Sequence, residues 1–414
     1  MTNYISIPLD IDGVAVDRVD MTAAGELHVY VKSTIEGTHC HHCGHELKAI
    51  HDYGREVKLR HLSILGMPTY IIIRPRRYRC DRCEGKPTTT QRLPWYDQRT
   101  STTRAFADHV LNMLVNSTVY DVSHKEKIGC DTIEDIIARE IGVAINWSRF
   151  TQLPKLGIDE ISLKKGHRDF ATIVTVRTEK GKVELLGVLD NREKETVKQF
   201  FLSIPKPLRD TVREVCSDLY EGFTEAAREV FGENVIITAD RFHVAKLYRE
   251  VVDDIRIKEM RRLQKELSEE AYEKLKGAMW IIRKSPSDIE DEELDTLQAL
   301  FTYSPTLKLA YLCACALTEI FDKPVTKTEG KEMIRAWMAV VRNANLSEFD
   351  KFLHTLEEKL DLITNYFVNR QSSGFIEGIN HKTRVLIGRC YGLFNRVHLF
   401  QRLTLDLGGH ETYA

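Results

Sequence analysis

The chain has 414 residues, with 59 Lys and Arg against 61 Asp and Glu for a net charge of −2. That length suits two or three domains with a substantial core. Near-neutral charge removes any global basic signature, so a nucleic-acid partner would have to be met by local patches. No run of about 18 apolar residues is present, which excludes a membrane-spanning helix. The first residues lack the basic-then-apolar pattern of a secretory leader, so a cytoplasmic protein is expected.

Nine cysteines is an odd count, and four of them form two CxxC pairs, Cys40/Cys43 and Cys80/Cys83. In a reducing compartment this pattern points to metal rather than to disulfides. Each pair is followed closely by glycine, which lets the backbone turn its amides toward the thiolates. Residues 1–35 read as one or two strands. Between the pairs, VKLRHLSIL and TYIIIRPRRYRC flank Gly66, a hairpin pattern, and together the parts predict a zinc ribbon holding one structural Zn2+. His41, His42 and His45 lie close enough in sequence to replace a cysteine ligand. Arg74, Arg76, Arg77 and Arg79 crowd the second pair. In an extended run Arg74, Arg76 and Tyr78 share a side, a candidate phosphate-contact surface or a charged guard on a sheet edge.

Residues 101–147 turn helical. Phe106, Val110, Met113 and Leu114 make a stripe, and two short amphipathic helices break at Gly129, a helix-turn-helix pattern with Asp131 as the expected N-cap of the second. That second helix is acidic, so a structural three-helix bundle competes with a DNA reader.

From residue 156 the period changes to strands. LGIDEISL carries Asp159 at its middle and is followed by a basic Lys164-Lys165-Gly166 turn. DFATIVTV and KVELLGVL complete an antiparallel meander. A helix, a strand ending at Asp218, a second helix and a strand ending at Asp240 follow. Three strands, helix, strand, helix, strand is the order of a ribonuclease H-like α/β layer, whose first and fourth strands carry metal-binding carboxylates. A carboxylate on a buried strand needs compensation, and a bound cation supplies it. Glu160 alternates to the opposite face from Asp159. From Arg241 to about Asn369 the sequence is rich in helix formers with no strand pattern; Phe349, Phe352, Leu353, Leu356, Leu360 and Ile363 would form one face of its last helix. Glu377 follows in SSGFIEGINHKTR.

These residues, in this order, resemble the ISL3 family of bacterial insertion-sequence transposases, most specifically in ADRFHV around Asp240 and His243 and in FIEGINHKTRVLIGRCYG around Glu377. The resemblance covers nearly the whole chain. It implies an Asp-Asp-Glu transposase: an α/β multidomain chain with an N-terminal zinc ribbon and helix-turn-helix, and an RNase H-like catalytic domain interrupted by an all-helical insertion. The expected divisions are 1–98 zinc ribbon, 99–150 helix-turn-helix, 151–240 first part of the catalytic core, 241–370 helical insertion and 371–414 C-terminal catalytic helix region.

The resemblance makes Asp159 the first carboxylate and Glu377 the third. Asp218 is favoured as the second over Asp240, which lies on the following strand. Two Mg2+ or Mn2+ ions, held by Asp159, Asp218 and Glu377, would bridge protein and phosphodiester. Lys382, Arg384 and Arg389 would hold phosphates or simply solvate their helix. The implied activity is metal-dependent cleavage and strand transfer at insertion-sequence ends, with terminal inverted repeats and target duplex as partners and a homodimer on DNA. The competing readings are a catalytically silent repressor or domesticated transposase, and a host nuclease of the same fold.

Overall fold

The order in which strands sit beside one another decides where the acidic residues meet. The computed structural model describes residues 7–143, 145–164, 169–284, 286–370 and 374–413. The chain forms two units, residues 1–143 with 401–414, and residues 144–400.

In the first unit Val14–Met21, Leu27–Ser33, Met67–Ile73 and Val57–Ile64 lie side by side in that order. The outer pairs are antiparallel and the central pair parallel. The hairpin turn is Leu65-Gly66, with φ of +51° and +78°, the left-handed pair that a two-residue turn between twisted strands requires. Val29, Val31, Leu59, Ile71 and Ile73 bury its apolar side. This hairpin thus completes a sheet with the N-terminal strands. The cysteine pairs stand on two smaller sheets, Thr38–His39 with Glu46–Leu47, and Ile50–Tyr53 with Arg76–Arg79 and Thr88–Thr90.

Helices Arg104–Leu114, Val119–Glu126 and Cys130–Glu140 follow. Phe106, Val110 and Leu114 recur at helical spacing and pack with Ile133, Ile136 and Leu405. Gly129, not Asp131, caps the third helix. Asp131 lies in its first turn, where a carboxylate complements the helix dipole without bonding the terminal amides.

The second unit is built on a five-stranded sheet. In chain order its strands are Lys155–Ser162, Phe170–Arg177, Val183–Leu189, Glu214–Ser217 and Ile236–Ala239. In space they run third, second, first, fourth, fifth. The first three are antiparallel, and the fourth and fifth run parallel to the first. The Lys164-Lys165-Gly166 turn extends outside the described residues. Leu156, Ile158, Val174, Val176 and Val215 pack against Val197 and Phe201 of helix Lys194–Ser203 and Phe223 of helix Glu221–Phe231.

Helix Gly374–Arg389 meets the alternate residues of the first strand. A Cβ on Gly157 would lie 2.6 Å from Ile376 and 2.7 Å from Phe375, so only glycine lets this helix approach so closely. From Arg241 to Asn369 the described residues form helices and connections only, around a core of their own. The expected last helix is interrupted: Phe349, Phe352, Leu353, Leu356, Leu360 and Ile363 are all buried, but Asp350–Glu358 and Leu360–Thr364 are separate helices.

Candidate metal centre

The four candidate zinc ligands have the most constrained geometry. The Sγ atoms of Cys40, Cys43, Cys80 and Cys83 all lie within 4.8 Å of one another. The Cys40–Cys83 separation is 3.9 Å, and Cys43–Cys80 and Cys80–Cys83 are 3.7 Å. Four sulfurs at about 2.3 Å from a tetrahedral Zn2+ stand about 3.8 Å apart, so the set fits that ion. Gly44 and Gly85 take left-handed φ of +69° and +74° beside the two pairs. Backbone N–H groups of Cys43 and His42 lower the Cys40 thiol to about pH 6. Hydrogen bonding among the crowded thiols, with Cys43 foremost, pushes Cys83 up to about 12. A divalent cation would let all four ionise together. His41 bonds Thr89 through Nδ1 at 2.8 Å, leaving the four cysteines as the ligand set.

Removal of one ligand is expected to unfold this region alone, because structural zinc contributes roughly 10–16 kcal/mol to folding. Cys43→Ser should lose its zinc and expose residues 36–90 to protease, with the second unit still resistant. A metal-free protein whose ribbon still resists protease would refute that assignment.

The acidic centre follows from strand register. Gly157 pairs with Cys216, and Cys216 with Thr238. Two residues further along each parallel strand are Asp159, Asp218 and Asp240, so all three stand on one rung at the strands' C-terminal ends. There the connections from the first and fourth strands diverge, the place where open α/β sheets form ligand sites. Ligand atoms of Asp159, Asp218 and His243 lie within 4.8 Å of one another. Asp240 is buried and differently engaged: its Oδ1 accepts from Phe242 N at 2.8 Å, capping the helix Arg241–Glu266. That helix carries His243, whose Nδ1 is 3.8 Å from Asp240 Oδ2, too far for a hydrogen bond, and is buried without a partner.

Asp159 is 9% exposed. Its Oδ1 accepts from the Glu160 N–H at 2.8 Å and its Oδ2 from Asn380 Nδ2 at 2.5 Å. Burial raises its pKa to about 6; Asp218 and Asp240 push the same way, against the His243 ring and the Glu160 amide. Burial also raises Asp218, moderated by the Tyr220 N–H it accepts at 3.0 Å. Buried carboxylates held above their ordinary range and an unpartnered imidazole nitrogen fit a cation site. Glu160 faces away from the site and binds Arg192 at 3.0 Å.

Glu377 is exposed in the first turn of helix Gly374–Arg389 and, among the described residues, stands outside the cluster of Asp159, Asp218 and His243. It lines a cleft of about 220 Å3 together with Asp240 and Arg241. Asn380, 2% exposed, is three residues further along the same helix, so Glu377 lies about 4.5 Å up the helix from Asp159's partner. The sequence offered one signal for Asn380, its spacing from Glu377.

The arginine run is divided in its loyalties. Tyr78 is fully buried and its hydroxyl accepts from Gly37 N. Arg76 donates to the carbonyls of Ser33 and Ile35 at 2.8 and 3.3 Å. Arg76 and Tyr78 do share a side, but it faces inward. Arg77 pairs with Asp52, Arg79 with Asp81, and exposed Arg74 stands 3.9 Å from Glu56. Arg384 is exposed, and Lys382 and Arg389 are half-buried.

No helix among the described residues is long and apolar enough to cross a membrane. A family model described as a transposase of the ISL3 group matches residues 156–403. A second, described as the zinc-finger of transposase IS204/IS1001/IS1096/IS1165, matches residues 36–83. The transposase for insertion sequence element IS1001 of Bordetella parapertussis is 22% identical over 403 residues, 96% of each chain. The transposase for element IS1557 of Mycobacterium tuberculosis is 24% identical over 392 residues, 90% of this chain and 86% of the relative. A Drosophila P element transposase strand transfer complex covers 76% of this chain and 93% of its own at 11% identity, but its TM-score of 0.39 is too low to argue from. With the ISL3 model spanning more than half of its length, the chain belongs to the ISL3 family of insertion-sequence transposases.

Proposed function

We propose that the chain cuts and joins DNA at insertion-sequence ends as an Asp-Asp-Glu enzyme of ribonuclease H-like fold, with Asp159, Asp218 and Glu377 as its carboxylates. The observation that carries this reading is the single rung on which Asp159 and Asp218 meet at adjacent parallel strands. The helix of Glu377 is tied to the same rung through Asn380. Asp218 is preferred to Asp240 because its ligand atom lies within 4.8 Å of those of Asp159 and His243.

Magnesium or manganese bound here would lower the pKa of an attacking water or 3′ hydroxyl and neutralise charge on the phosphate. Asp159 and Asp218 would hold the ions, Asn380 would orient Asp159, and Glu377 would close the set by rotating toward the rung. His243 would steady the carboxylates from the side, since imidazole is a poor ligand for magnesium. Magnesium-dependent nicking of a duplex carrying the element's own ends tests this reading, and its absence in zinc-replete protein would overturn it.

For DNA binding we place phosphate contacts on Arg74, Arg77 and Arg79 and on Arg384, and assign Arg76 to the fold. The helix-turn-helix is given a positioning role, because the exposed residues of its last helix include Asp131, Glu134 and Asp135, which repel phosphate. A homodimer on two DNA ends completes the proposal. Replacing Arg74 and Arg79 by alanine should weaken binding to all duplexes and reduce the slope of log affinity against log salt by about 2. An unchanged slope would leave these residues as edge guards only. Arg76→Ala should instead lower the stability of the first unit, by about 1–3 kcal/mol for its lost carbonyl partners, read by urea denaturation.

A further inference from the structure

The helical region holds a cavity of about 550 Å3 that the cleavage chemistry leaves unused. Its walls come from helix Arg241–Glu266, helix Pro305–Asp322 and the end of helix Ala278–Arg283. The size falls within the range of sites that enclose a small organic group. The cavity continues into the cleft that carries Glu377, since Phe242, Tyr248, Arg249 and Thr318 line both. Whatever enters it therefore enters beside the acidic rung.

Two further features say what enters. Phe242 follows Asp240 by two residues and is 47% exposed at this junction. Tyr311, 7% exposed, lines the cavity, and its buried hydroxyl meets the Cys315 thiol, a weak hydrogen-bond partner. A ligand's polar atom would be a stronger partner for that hydroxyl than the thiol. Charge on the walls is balanced, four basic side chains against four acidic ones. Arg249 is exposed and makes no ion pair among the described residues. Of the acidic groups, Asp253 and Asp322 are paired with Arg283 and Arg241 and Glu250 lies 3.8 Å from Lys246, while Glu319 also lines the wall. An aromatic face, an unpaired cation and a buried polar atom are what a nucleotide needs for its base, its phosphate and its base edge.

We infer that this cavity receives one unpaired nucleotide of the DNA strand engaged at the acidic rung, with Phe242 stacking on the base, Arg249 meeting a phosphate and Tyr311 Oη bonding the base edge. This rests on the transposase reading, and it makes the helical region a part of substrate recognition. Extruding a base beside the target phosphodiester opens the backbone to carboxylates that sit at the ends of strands.

The test uses the full chain with calcium in place of magnesium, so that DNA is bound without being cut. One duplex carries an unpaired 2-aminopurine near its end, and the other is the same duplex fully paired. The unpaired form should bind about tenfold tighter, the gain of one base–aromatic stack, and its emission should be quenched on binding. Phe242→Ala should abolish both the preference and the quenching while binding the paired duplex as before. Tyr311→Phe, which keeps the ring, should reduce the preference about threefold. Equal binding of the two duplexes by the parent protein, or equal losses on both in Phe242→Ala, would overturn the assignment. If the parent protein cleaves ends with magnesium yet shows no preference, the cavity assignment fails alone; if it neither binds nor cleaves duplex DNA, the transposase reading fails with it.

Discussion

Asp159→Asn, Asp218→Asn and Glu377→Gln should each reduce strand cleavage by at least about a thousandfold while leaving end binding intact. A metal-held phosphodiester derives several kcal/mol of its activation from the ions, and every ~1.4 kcal/mol lost is tenfold in rate. The replacements keep shape and remove charge, so binding through the arginines proposed above as phosphate contacts should survive. Asp240→Asn is the discriminating control. Its amide oxygen can still accept from Phe242 N, so the helix cap persists and part of the activity with it. Normal cleavage by Asp218→Asn beside a dead Asp240→Asn would exchange their roles, and parent-like cleavage by all four variants would refute the mechanism.

The same substitution carries a stability signature in metal-free protein. Asp159 titrates near 6 in the fold and near 3.8 in the unfolded chain. Between those values the folded state keeps a proton that the unfolded state has lost, so its contribution is full below about 3.8 and disappears as pH rises through about 6. Asp159→Asn should therefore be more stable than the parent at neutral pH in chelator, by about 1–3 kcal/mol. The difference should shrink toward pH 4. A difference that grows with acidification would contradict the burial seen here.

How far the sequence could lead was set by what each signal encodes. CxxC spacing and alternation are local, so the cysteine pairs and the five strands were legible. The register was not, and register is what makes Asp218 and Asp240 hard to separate: they occupy the same rung of neighbouring strands. Each also accepts a backbone N–H two residues on, and what separates them is that Asp218 clusters with Asp159 and His243. Likewise, parity told that Arg76 and Tyr78 share a side, but which side is buried depends on residues 33–37 lying against it. Asp131 had the chemistry of a cap, yet the helix begins one residue before it. Asn380 touches Asp159 across 221 positions of chain, a contact that no local pattern announces. Glu377 was legible from its surrounding motif, whereas its exposure depends on where the helix begins.

Breaking the ion pair beneath the site should cost the second unit about 3–5 kcal/mol of stability. Lys155 Nζ lies 3.3 Å from Glu214 Oε1, with both side chains 7% exposed. They face each other at the first rung shared by the first and fourth strands, two steps below Gly157 and four below Asp159. Glu214 also accepts from Thr238 at 3.0 Å and from Asn369 at 3.1 Å. One carboxylate thus joins the first, fourth and fifth strands to the end of the helical region. Lys155→Met removes the charge that justifies burying it and leaves Glu214 with neutral partners only. Loss of one member of a buried pair costs about 3–5 kcal/mol, because the survivor stays desolvated. Lys155→Met with Glu214→Met should recover most of that, since two apolar side chains fit a buried rung. Urea denaturation of the zinc-loaded chain, followed by a probe in the second unit, measures both. A Lys155→Met protein within about 1 kcal/mol of the parent, or a double variant weaker than the single, would show that the pair does not register these strands. A loss confined to the single variant, accompanied by a fall in cleavage without loss of end binding, would tie the level of Asp159 and Asp218 to the rung below them.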